Sequence, residues 1–87
     1  MLLGDVVARV WPERQLDGLA GKPLVLVREV SSAQLHVALD LIDAGVGTRV
    51  MLMTGEPAQR IAGDVPADAV VTAIVQADAI PKAGAKA

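Results

Sequence analysis

The segment Asp43-Ala44-Gly45-Val46-Gly47-Thr48-Arg49-Val50 sets two glycines one residue apart just after an apolar run. Glycines so spaced let a backbone approach a phosphate closely, as in dinucleotide-binding and P-loop sites. Counting from Gly45, a dinucleotide fingerprint needs a third glycine where Val50 stands, and a helix after it. Val50-Met51-Leu52-Met53-Thr54 reads instead as a strand, and no Lys-Ser or Lys-Thr pair follows. The pair therefore reads as a tight turn that uses glycine's access to positive φ.

The other groups able to do chemistry are few and scattered. His36 is the single histidine and shares strand parity with Asp40, but two side chains make a poor metal site. It reads as a surface or interface residue. The two serines, Ser31 and Ser32, fall in an expected turn with no histidine fixed beside them, so a nucleophile is not expected. Carboxylates at Asp40, Asp43, Glu56, Asp64 and Asp68 lie in turns and at element ends, where capping and solvation account for them. These readings predict a protein without catalysis, metal or cofactor.

The elements that must carry these residues follow from apolar patterning. Val6 to Trp11 alternate as a first strand ended by Pro12, and residues 12–21 read as a loop. Pro23 to Val30 is a second strand, and Ser31-Ser32-Ala33 a hairpin turn. Gln34 to Ile42 is a third strand, with Leu35, Val37, Leu39 and Leu41 on one face, and Val50 to Thr54 is a fourth. Glu56 to Ala62 reads as a short helix, with Pro57 suited to its start and Gly63 to the position past its end. Ala69 to Val75 is a fifth strand. Helix competes over 34–43 and 69–80, which are rich in Ala and Leu. Residues 1–78 are expected to form one domain, and 79–87 a disordered tail with nothing to bury. Five short strands and one helix predict a mainly β fold, a small antiparallel OB-like barrel.

Composition sharpens that expectation. The 87 residues are 53% hydrophobic and 21% charged. A chain this short buries only about 60–65% of its unfolded surface. Several strands are apolar on both parities, yet only one face of an antiparallel barrel fills its interior. The outward apolar face implies a neighbouring subunit. Net charge is −2, with no Phe, no Tyr and one Trp. Single-strand binders need aromatic platforms and a basic groove, so an OB-like nucleic-acid or small-ligand module is the weaker alternative. Trp11 reads as an interface or rim side chain. There is no cysteine, no signal-peptide pattern in MLLGDVVARV, and no apolar run near the ~20 residues that span a bilayer. A cytoplasmic protein without membrane or nucleic-acid partners is expected.

Several stretches taken in order resemble the EutN/CcmL family, the pentameric vertex proteins of bacterial microcompartment shells, including carboxysomes. They are Leu3-Gly4-Asp5-Val6-Val7, Val37 to Ile42, Ala44-Gly45-Val46-Gly47, Val50 to Gly55 with Ala58, and Pro66-Ala67-Asp68-Ala69 before a strand ending in Ile74-Val75. The resemblance implies a cyclic homopentamer that closes five-fold corners of a shell whose facets are hexameric proteins of another fold. It implies no enzyme activity. Gly4, Gly45, Gly47 and Asp68 are the positions it marks for turns and assembly. The chain departs from the family at Asp43, where glycine is usual, at Glu56-Pro57 in place of Ser-Ser, and at Gln59 in the usual arginine position. It departs again at Gln76, where aspartate is usual.

Thr54, Gly55, Glu56 and Pro57 are expected to line the pentamer's central opening, because Gly55 permits close backbone approach near an axis. With Glu56 inward, five carboxylates would form a ring favouring cations. With Glu56 outward, it would only favour the positive end of the helix.

Overall fold

The computed structural model describes residues 1–11, 21–63, 65 and 67–75. The expected loop over 12–21, apart from Gly21, and the expected tail over 79–87 lie outside the described residues, as does the domain boundary at 78. Five strands and one helix run in the order β1 (Leu2–Val10), β2 (Leu24–Glu29), β3 (Leu35–Asp40), β4 (Arg49–Thr54), α1 (Gly55–Ala62) and β5 (Ala69–Ile74).

The strands close into a barrel in the order β1-β2-β3-β5-β4. Four of its five seams are antiparallel, but β3 and β5 run parallel, joined at Leu39↔Val70 and Asp40↔Val71. The expectation of an antiparallel barrel is corrected there. The chain between β3 and β5 crosses β4 and α1 before returning, which is the long connection a parallel pair needs. The helical alternatives over 34–43 and 69–80 lose where described: residues 35–40 and 69–74 are strands, and pairing on both edges overrides their Ala and Leu content.

Period-two alternation sorts the strands into two faces, interrupted by a register shift between Val6 and Ala8 of β1, which turns Ala8 outward, and by another at Met51/Leu52 in the β4–β5 pairing. Val6, Val25, Val27, Ala38, Val50, Leu52, Ala69 and Val71 point inward and, with Ala44, fill the barrel. A second core forms outside it, where Ala58 and Ala62 of α1 sit on Leu39 and Val70, flanked by Leu24, Met53, Val65 and Ala67. The helix starts one residue earlier than expected, at Gly55, so Pro57 is its third residue. Its missing N–H still falls in the first turn, where no intrahelical acceptor exists. Gly63 ends the helix as expected, at φ 66, its N–H donating to the Gln59 carbonyl at 3.1 Å.

Candidate functional site

On the outer wall, the helix covers only part of the apolar surface. Ala8 of β1 pairs with Leu26 of β2, and Leu26 pairs with Val37 of β3, giving one apolar row across three strands. Val37 is 53% exposed and Leu35, two residues before it, 51%, whereas Leu39 on the same face is buried beneath α1. The expected apolar face of β3 is therefore real and faces outward: only Leu39 of its four expected members is covered, and Leu41, 52% exposed, falls just past the strand's end. This is the surface a monomer of ordinary composition would not leave open.

Beside that row lies a shallow depression of about 430 Å³, lined by Leu35, His36, Val37, Thr54, Gly55, Asp68 and Ala69. Three of the marked residues thus come together here. The Gly55 N–H donates to the Asp68 carbonyl at 2.9 Å, and Gly55 has φ 68, a conformation in which glycine is the natural occupant. Glu56 and Pro57 follow on the exposed first turn of α1. Glu56 is not a free carboxylate: its Oε1 accepts from Arg60 NH2 at 2.7 Å, one helical turn on. The i,i+4 spacing of an acid before a base marks such a pair, which was not among the two roles expected of Glu56.

The glycines lie elsewhere, around Val6. The Gly47 N–H donates to the Val6 carbonyl at 2.8 Å, and the Val6 N–H to the Thr48 carbonyl at 2.9 Å. Gly47 sits at φ 89, but Gly45 is not at positive φ, so only one member of the pair needs glycine's freedom. Gly4 is buried within β1, where a Cβ would lie 2.9 Å from the Arg28 carbonyl oxygen.

His36 and Asp40 do not meet in a common site. Asp40 is buried, and its carboxylate accepts the Ile42 N–H at 3.1 Å and the Ala44 N–H at 2.8 Å. His36 Nε2 lies 3.5 Å from Glu29 Oε1, and the other Glu29 oxygen accepts the Ser31 and Ser32 hydroxyls. Those hydroxyls, Ser32 first, hold the Glu29 carboxyl below its ordinary range against the opposing effect of burial. Both serines act as turn stabilisers, their hydroxyls donating to the Glu29 carboxylate and not to the histidine. Among the described residues no three His, Cys, Asp or Glu side chains gather to hold a metal ion. No helix among them is long and apolar enough to cross a membrane.

Two ion pairs escaped the sequence reading because they join residues 34 and 44 positions apart. Arg9 binds Asp43 at 2.6 Å, and Arg49 grips Asp5 through bonds of 2.9 and 3.1 Å. The Arg49 hydrogen bond pulls the Asp5 carboxyl below its usual range, outweighing burial, with Arg28 adding its charge.

The sequence profile described as "Ethanolamine utilisation protein EutN/carboxysome" matches residues 1–76. The chain belongs to the EutN/CcmL family. EutN from Escherichia coli is 31% identical, with a TM-score of 0.76 over 86% of this chain and 84% of its own. The pentameric microcompartment shell protein GrpN from Rhodospirillum rubrum is 28% identical, with a TM-score of 0.79 over 87% of this chain and 94% of its own. The pentameric shell protein MSM0273 of the RMM microcompartment has a TM-score of 0.84 over 94% and 98%; at 23% identity that likeness concerns the fold. No curated protein matches the chain. The EutN/CcmL proteins are structural shell components, not enzymes.

Proposed function

We propose that this chain is a structural subunit of a bacterial microcompartment shell, assembled as a homopentamer that caps the shell's five-fold vertices. The observation that carries the reading is the half-uncovered apolar wall of β3, with Leu35 and Val37 open beside α1, in a chain whose family match spans residues 1–76. A cyclic ring joins two different patches of each protomer, so a protomer must present apolar surface that it cannot bury itself.

The shell lies in the bacterial cytoplasm, and the pentamer's outer edges meet hexameric facet proteins of the same shell. Residues 1–78 form the assembling domain. Thr54, Gly55, Glu56 and Pro57 approach the five-fold axis, with Asp68 holding Gly55 through its carbonyl. Arg60 offsets each Glu56, so an opening lined by this turn carries both signs of charge and discriminates against anions less than a bare carboxylate ring. Co-expression with hexameric shell proteins from the same organism tests the vertex role. Closed polyhedral shells that become open when this chain is omitted are the expected result. Shells equally closed without it would refute the assignment.

A further inference from the structure

One cation serves two carboxylates at the end of the barrel where β3 passes into the loop before β4. Asp40 carries a fully buried carboxylate, and its two oxygens accept the Ile42 and Ala44 N–H groups. The Arg9 guanidinium lies 3.9 Å from Asp40 Oδ2 and donates to Asp43 Oδ1 at 2.6 Å. Asp43 is itself held at φ 57, a left-handed conformation that side chains other than glycine adopt at a cost. Leu41, Ile42 and Val46 around it stay exposed at 52%, 40% and 62%. Apolar side chains on a free loop gain by collapsing onto the nearest apolar surface, so their display requires a loop that is held.

We propose that Arg9 is a positioning residue: from β1 it clamps the β3–β4 loop through Asp40 and Asp43, and thereby keeps Leu41, Ile42 and Val46 displayed. The two contacts differ in weight. Asp43 is 91% exposed, and an ion pair with such a partner contributes little. Asp40 is fully removed from water, and a buried carboxylate deprived of its cation is costly. Arg9 therefore acts mainly through Asp40, while Asp43 orients the guanidinium. The inference stands apart from the oligomeric reading, since it concerns contacts within one protomer.

Amide hydrogen exchange on the full-length chain, in whatever assembly it adopts, tests this directly, because it resolves local opening from global unfolding. Arg9→Met is expected to speed exchange of the Ile42 and Ala44 amides about tenfold or more, while the Val50 and Leu52 amides stay within about twofold of the parent. Asp43→Asn keeps the shape and tolerates the left-handed region; it is expected to speed the same two amides by about 1.5- to 5-fold. That effect should vanish in the Arg9→Met background, and Arg9→Lys should restore part of the protection. A purely packing role for the Arg9 stem would give no coupling to Asp43 and full rescue by methionine. Should Arg9→Met fail to fold, Asp43→Asn decides alone: faster exchange confined to the two loop amides supports the clamp. Unchanged exchange at Ile42 and Ala44 in either folded variant, or additive effects in the double variant, overturns it.

Discussion

Gly4, Gly45 and Gly47 are the same residue type doing three different jobs. Gly47 has open space around its Cα but sits at φ 89, so its cost on substitution is conformational. Gly4 has an ordinary strand conformation but no room, with the Arg28 carbonyl in the way. Gly45 has neither constraint, since a Cβ there would meet only Thr48 Oγ1 at 3.7 Å. We expect Gly47→Val to lower stability by about 1–3 kcal/mol and Gly4→Ala by about 1–3 kcal/mol. Gly45→Val should stay within about 0.5 kcal/mol of the parent. Chemical denaturation midpoints with unchanged m-values check all three; a Gly45 variant as unstable as the Gly47 variant would contradict this assignment. The sequence marked these positions without separating them, because φ and backbone clearance are set by partners that lie far off in the chain. Asp5, alongside Glu29, contributes to the pH dependence of stability. Its folded carboxyl lies below its unfolded value near 3.8, so its contribution is full above that value and lost as the pH falls through the lower folded one. Thermal melting between pH 6 and pH 3 should therefore drop less steeply for Asp5→Asn than for the parent, and equal slopes would show that the Arg49 pair plays no part.

At the scale of elements, what the strands and helix bury explains why some were easy to read. Four of the five expected strands agree with the observed ones to within two residues, since alternating Val, Leu and Ala sort into the barrel and outer faces, but β1 begins at Leu2, four residues before the expected Val6, where Gly4 and a later bulge blur the alternation. Local punctuation was equally plain at Gly63 and at the Ser31-Ser32 turn. The parallel closure of β3 on β5 was not legible, because two pairings between distant segments leave no mark in either one. Nor was the split fate of β3's outer face: Leu35, Val37 and Leu39 are alike in sequence, and only the docking of α1 separates the buried residue from the exposed two. That docking depends on small side chains. Ala58 is fully buried between α1 and the sheet, so Ala58→Leu would force the helix off Leu39 and Val70. We expect a loss of about 1–3 kcal/mol, read as a shifted denaturation midpoint. A midpoint unchanged from the parent would show that the second core has slack.

The described residues present more apolar wall than they cover among themselves, with Leu35, Val37, Leu41, Ile42 and Val46 open. Val37 lies in the open row of Ala8, Leu26 and Val37, so Val37→Glu removes association while the monomer keeps its barrel, whose interior the side chain does not enter. Unaltered far-ultraviolet circular dichroism with a smaller sedimenting species is the expected pair of results. Catalytic readings gain nothing at this scale, since the two serines and the buried Asp40 are each engaged locally in holding a turn. The most direct measurement is native mass spectrometry of the full chain at micromolar concentration. A closed ring of about 45 kDa, five times the 9.0 kDa chain, without larger open-ended series, is the expected result. A monomer or dimer as the sole species would contradict it.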